Sequence, residues 1–158
     1  MPEFTVSSTL PASRAAVWAR VSTMAGVNDE LGPWFRMTHP PGLDRLEGVE
    51  VPLGERLFRS RVLLFGVLPV DYDDLVLVRL EPGRGFLERS RMLSQRVWEH
   101  ERTLSDDGAG CVVTDRVRFE PRVPVLAGAQ RALLRAIFRH RHRRLRRFFG
   151  APRSYAIG

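Results

Sequence analysis

The chain has 158 residues, 44% of them hydrophobic, which is the size of one domain with one core and room for a modest cavity. Its cations are 25 arginines and no lysine, which excludes Schiff-base chemistry, pyridoxal phosphate attachment and a lysine-bearing phosphate loop, since each needs a primary amine. Against 18 acids they leave a net charge of +7, placed unevenly: residues 1–120 hold 15 arginines and every acid, a net of −3, whereas residues 121–158 hold 10 arginines and no acid.

No apolar run approaches the roughly 18 residues of a membrane span, and Met1 to Thr5 offers neither a basic leader nor an apolar stretch behind it. The single cysteine, Cys111, has no second thiol for a disulfide or a metal cluster, which fits a reducing compartment and leads to the expectation of a cytoplasmic protein. At the head of a Cys-Val-Val strand pattern Cys111 reads as a small core hydrophobe.

In chain order, residues 4–10 alternate as a strand, and Pro11-Ala12-Ser13 supplies a turn and an N-cap for an amphipathic helix to about Met24. Residues 25–52 carry Gly26, Gly32, Pro33, Pro40, Pro41, Gly42 and Gly48, so a short helix and a long loop are expected there, with Trp34, Phe35 and Met37 either on a pocket rim or plugging the core. Strands follow at about 55–65, 70–81, 84–92, 95–105 and 111–120, separated by Gly66 to Pro69, Pro82-Gly83, Leu93-Ser94 and the stretch from Asp106 to Gly110. Leu126 to Phe149 then forms one uninterrupted helix, stopped by Gly150 and Pro152. Its apolar stripe is Ala129, Leu133, Leu134, Ile137, Phe138, Leu145, Phe148 and Phe149, with Ile137, Phe138 and Leu145 expected in the core and the arginines on the other faces.

A strand, a helix, a long loop, hairpin-linked strands and one terminal helix can bury every apolar face only if the sheet curls around that helix. The class expected is therefore α+β, a helix-grip fold in a single domain spanning 1–158. Trp98-Glu99-His100-Glu101-Arg102 and the helix segment from Ile137 to Leu145 give the chain a resemblance to the SRPBCC, or START/Bet v 1-like, superfamily, and to uncharacterised bacterial ligand-binding members of it. That resemblance implies a hydrophobic cavity between sheet and helix. It leaves function open, because members range from lipid carriers to polyketide cyclases.

Alternation assigns side chains to the concave face. On 95–105 the apolar ends select Trp98, His100, Arg102 and Leu104, and on 111–120 the inner set is Cys111, Val113, Asp115, Val117 and Phe119. On 84–92 it is Phe86, Glu88, Ser90 and Met92, and on 70–80 it is Val70, Tyr72, Asp74, Val76, Val78 and Leu80. The candidate ligand-binding residues are thus Tyr72, Glu88, Ser90, Trp98, His100, Arg102, Asp115, Val117, Phe119 and, from the helix, Phe138. Trp98, Val117 and Phe119 are expected to supply apolar lining.

Buried charges need partners, and two readings of these stand. In one they form a satisfied network that fixes strand register, for example Arg102 with Glu88 and His100 with Asp115. In the other His100, Arg102 and a carboxylate form the polar end of an oily pocket and orient a ligand's carbonyl, hydroxyl or carboxylate. His100 beside Asp115 also has the elements of an acid–base pair. His39 is expected in solvent, and His140 and His142, two apart on a helix, cannot face one ligand. The spacing holds no metal motif and no cofactor is expected.

The arginine helix allows contact with an anionic membrane or lipid headgroup, or simple solvation with pairing to the acidic sheet; it lacks the motifs of a nucleic-acid binder. The leading expectation is a module that binds an apolar small molecule, lipid or polyketide-like, in an internal cavity. The alternatives are a cyclase or aromatase-type enzyme in which His100, Arg102, Glu88 or Asp115 moves protons, and a peripheral interaction protein using the basic helix.

Overall fold

A computed structural model describes residues 1–46 and 50–150, so Gly48 and Pro152 lie outside the described residues. Strand β1 (Glu3–Leu10) leads into helices α1 (Arg14–Val21) and α2 (Met24–Leu31), then β2 (Phe35–Met37), β3 (Arg56–Leu64), β4 (Leu68–Glu81), β5 (Gly85–Met92), β6 (Gln95–Asp107), β7 (Gly110–Pro121) and the long helix α3 (Ala127–Phe149). The seven strands form one antiparallel sheet in the order β1-β7-β6-β5-β4-β3-β2, with α3 packed against β1 and β7 and with α2 laid on α3. This is the expected helix-grip layout.

The helical stretch after Ser13 divides where the expectation ran through to Met24. Ser13 caps α1 by accepting from the Ala16 amide, and Thr23 caps α2 by accepting from the Gly26 amide. The chain turns so sharply between them that a Cβ on Gly26 would sit 2.0 Å from the Arg20 carbonyl oxygen, so glycine is required there. A second tight approach holds β5 to β6: Gly85 has φ 146° and its missing Cβ would meet the Arg102 carbonyl oxygen at 2.0 Å. At the far end, a short 3-10 turn over Pro124–Leu126 precedes α3, and Gly150 closes the helix in the left-handed conformation.

The core lies in two parts on the concave face. One gathers Leu10, Val17, Trp18, Leu104, Cys111, Val113 and Leu145; the other gathers Phe4, Trp98, Val117, Phe119 and Phe138. Cys111 is a buried free thiol within the first. Phe138 stands edge-on to both Phe4 and His100, with ring centroids 5.6 and 5.0 Å away.

Two expectations about α3 need correction. Ile137 is only half-buried and Leu133 is exposed, because this part of the helix lies over a cavity and not over packed core, and Phe148 near the other end is exposed beneath the Arg20 guanidinium. Ile137→Ala should therefore cost only about 1 kcal/mol, below the usual range for a core truncation, as urea unfolding will show. The arginines, moreover, do not all avoid the buried face: Arg141 and its neighbour His142 are buried.

Candidate functional site

Four neighbouring strands and two helices converge on a buried polar network. Asp115 on β7 is fully buried and accepts four bonds: from His100 Nε2 at 2.7 Å, from Arg102 Nε at 2.7 Å and Nη2 at 2.6 Å, and from His142 Nε2 at 2.7 Å. Arg102 turns its remaining fork to Glu30 of α2, with Nη1 and Nη2 at 2.9 and 2.8 Å from the two carboxylate oxygens. Arg141 of α3 gives its Nε to the same Glu30 at 3.0 Å. Ser8 on β1 accepts from Arg146 and faces Nδ1 of His142 at 2.7 Å, which leaves the His142 Nε2–H for Asp115.

Burial alone would raise the Glu30 carboxyl, but Arg102 and then Arg141 outweigh it and hold the group below its ordinary range. Asp115 is likewise raised by burial and brought well below by Arg102. A second group of acids behaves differently. Asp73 on β4 is almost fully buried, and that burial, with the charge of Glu88 beside it, pushes its carboxyl well above the ordinary range. Glu88, despite its burial, is held below its usual value by hydrogen bonding from His100 and Asp73, and it also accepts from Ser90 Oγ at 2.8 Å.

Between sheet and α3 lies a cavity of about 330 Å³ lined by Met92, Trp98, Leu134, Ile137 and Phe138, with Asp73, Glu88, Gln95 and His100 among its polar walls. A smaller lobe of about 110 Å³ runs under the α1–α2 junction past Leu75, Leu77, Phe86 and Arg102. Met37, Glu88, His100 and Arg141 line both, so the ion network stands where the lobes meet. An adjoining groove of about 360 Å³ holds Trp34, Leu64, His140 and Arg143 and shares Leu31, Phe35, Leu133 and Ile137 with the main lobe. Phe35 and Met37 therefore face the cavity, and half-exposed Trp34 stands on its outer lip.

Of the ten candidate residues, Glu88, Trp98, His100, Arg102 and Phe138 line one lobe or both. Ser90 and Asp115 are buried behind them, bonded to Glu88 and to Arg102. Val117 and Phe119 are not apolar lining: both are fully enclosed in the core behind Trp98 and Phe138, because β7 lies nearer the helix than β5 and β6 do.

Tyr72 is on the convex face. Arg59 stacks on its ring at 4.0 Å and also pairs with Asp74 at 2.7 Å, so both side chains point away from the cavity. The reason is a register irregularity between Leu77 and Arg79: Leu77 pairs with Glu88 but Leu80 pairs with Phe86, so Val78 is the extra residue and the inward phase changes across it. Inward before the bulge are Asp73, Leu75 and Leu77. The pairing of Arg102 with Glu88 is also corrected, since Glu30 and Asp115 take its donors, whereas His100 does bond Asp115. His39 is exposed, and His140 and His142 do part company, His140 meeting the Gly32 carbonyl.

The α3 arginines turn mainly to α2 and β1 and not to the acidic sheet at large: Arg144 donates to Asp29, Arg141 to Glu30, Arg131 to the Glu3 carbonyl and Arg146 to Ser8. Among the described residues no helix is long and apolar enough to cross a membrane.

The same architecture recurs in solved structures. XoxI from Bacillus cereus matches with a TM-score of 0.70 at 15% identity, over 98% of this chain and 100% of that one. A START superfamily protein from Mycobacterium smegmatis matches with a TM-score of 0.66 at 11% identity, over 94% and 97%. DynU16, described as a putative protein in the dynemicin biosynthetic locus, matches with a TM-score of 0.58 at 17% identity, over 90% of this chain and 46% of its own. These likenesses establish a START/Bet v 1-like fold, and no curated protein matches the sequence. A family model described as "Domain of unknown function (DUF8410)" matches residues 8–149, and the chain belongs to that family.

Proposed function

We propose that the protein binds an apolar small molecule in the cavity between the sheet and α3. The observation that carries this reading is the pairing of about 330 Å³ of space, walled by Trp98, Leu134, Ile137 and Phe138, with a small set of polar groups at one side. A site of that kind gains affinity from the apolar walls and orientation from the few polar contacts. Ordinary side-chain packing leaves few voids larger than one water, so a space of this size beneath a helix is not a by-product of folding. A carrier or sensor fits better than a catalyst. Arg102 has four of its donor contacts taken within the chain by Glu30 and Asp115, so it is not free to move protons. The polyketide-type ligand stays within this reading through the likeness to DynU16, a protein of a biosynthetic locus. The anionic-surface reading is weakened because Arg131, Arg141, Arg144 and Arg146 are already engaged inside the chain.

The neutral fluorophore N-phenyl-1-naphthylamine should bind one per chain with enhanced, blue-shifted emission. Leu134→Trp, which places an indole in the main lobe, should weaken that binding at least about tenfold while the far-ultraviolet circular dichroism is retained. Binding that is absent from the wild-type chain, or indifferent to Leu134→Trp, would exclude the cavity as a ligand site.

A further inference from the structure

At the polar side of the main lobe, two of the residues that line it each hold a buried oxygen with no hydrogen-bond partner among the described residues: Asp73 through Oδ1 and Gln95 through Oε1. Both residues are at least nine-tenths buried, with Asp73 3% and Gln95 2% exposed. They belong to one locality. Asp71, two residues before Asp73 on β4, accepts from the Ser94 amide and hydroxyl, which ties the start of β6 and hence Gln95 alongside β4. Gln95 spends its amide N–H on Gln130 of α3 at 2.8 Å, and its oxygen takes no partner among the described residues. Nearly every buried polar atom in a folded protein is paired, because an unpaired one costs about 1–3 kcal/mol. Two such atoms on one cavity wall therefore mark a place where a ligand group completes the bonding.

Resting on the cavity reading above, we propose that Asp73 and Gln95 form the recognition site for a hydroxyl group at one end of an otherwise apolar ligand. Both orphan atoms are acceptors, so the ligand group has to donate, which removes ketones and esters. A carboxylate would bring a third acceptor group against the Asp73–Glu88 pair. Of the arginines that could pair with a carboxylate, Arg102 has four of its five N–H donors taken by Glu30 and Asp115, and Arg141, which lines the lobe, gives its Nε to Glu30 and stacks over Phe138 at 4.8 Å. A neutral donor fits better than an ammonium: Glu88 already faces His100 Nδ1 at 3.8 Å, and burial, with the charge of Glu88, disfavours ionisation of the Asp73 carboxyl beside it. The remainder of the ligand would lie against Trp98, Phe138, Leu134 and Met92.

The test is displacement of N-phenyl-1-naphthylamine at neutral pH from the full chain by 1-decanol, decanoic acid and decylamine, which share one chain length. Decanol should displace the fluorophore at a concentration roughly tenfold below that of decanoic acid and below that of decylamine. In Asp73→Leu that preference, read as the ratio of the three displacing concentrations within one variant, should shrink about tenfold, whereas Asp73→Asn, which keeps an acceptor oxygen, should retain it. Both variants should fold, since Asp73 takes part in no ion pair among the described residues and burial already disfavours its charge, and far-ultraviolet circular dichroism verifies it. A tighter decylamine than decanol would make this a cation site and overturn the proposal. So would a decanol preference that survives Asp73→Leu, although in either case fluorophore binding would leave the cavity reading intact. Absence of fluorophore binding to the wild-type chain would overturn both.

Discussion

Arg102→Met should lower the unfolding free energy by about 3–5 kcal/mol and change N-phenyl-1-naphthylamine affinity by less than about twofold. The guanidinium is 1% exposed and is the cation shared by Glu30 and Asp115, themselves 1% and fully buried, so no solvent screens the change. Without it Glu30 keeps Arg141, Asp115 keeps His100 and His142, and the two acids lose their bidentate bonds together. For a chain of this length the loss should appear as a fall in melting temperature of roughly 10 °C. Glu30→Gln combined with Arg102→Met should recover part of it, because one of the two stranded charges is then gone. An unchanged melting temperature with a fluorophore affinity reduced tenfold or more would reverse the assignment and place Arg102 in direct contact with ligand.

Acid should dismantle the same network, and the sign follows from the direction of each shift. Glu30 and Asp115 sit below their ordinary values of 4.5 and 3.8 in the folded chain, so the unfolded chain takes up their protons first. Their stabilising contribution is complete above about pH 4.5 and is lost as the pH falls through the lowered folded values. Asp73 has the opposite sense: raised when folded, it favours the folded state at low pH, and that advantage disappears as the pH rises from 3.8 through its folded value. Asp115→Asn should therefore destabilise the chain at neutral pH by about 3 kcal/mol and flatten the decline below about pH 4.5, whereas Asp73→Asn should raise stability on the neutral side. Urea unfolding across this range would check all three. A wild-type profile that shows no decline as the pH falls below about 4.5 and then below 3.8 would mean that the two lowered carboxylates do not hold the fold as described.

How much of this was legible in the residues depends on what fixed each phase. On β6 and β7 the alternation is anchored by large apolar side chains at both ends, Trp98 and Leu104 or Cys111 and Phe119, and the inward placement of His100, Arg102 and Asp115 followed. On β4 the acids Asp71, Asp73 and Asp74 occupy both phases, so Val76, Val78 and Leu80 set the choice, and the bulge at Val78 made Leu80 a misleading guide for everything before it. Arg141 and His142 carried a readable signal. They fall between Phe138 and Leu145 at helical spacing, so a stripe that buries both ends also buries the turn between them. Glu30 carried none, since its neighbours Asn28 and Asp29 are polar too, and only the crossing of α2 over α3 brings it to Arg102 and Arg141. Asp73 and Gln95 stand out through partners they lack, a property that no one-dimensional pattern encodes.

The pairing of β1 with β7 has a consequence for how the chain comes to fold. Glu3 lies opposite Arg118 and Leu10 opposite Cys111, so the first strand of this sheet in chain order is completed by the last, and Ser8 then waits for His142 and Arg146. At about 5–20 residues per second of translation, β1 stands for roughly ten seconds with both edges open. The hairpins from β3 to β7 join sequence neighbours and can assemble during that interval, which leaves closure of the grip as the slow, non-local step. Phe4, Val6 and Leu10 share the inward face of β1 with Ser8, and this polar residue interrupts what would otherwise be a continuous apolar strand. The hydroxyl that joins the network in the finished protein thus also protects the nascent strand from pairing with other chains while it waits.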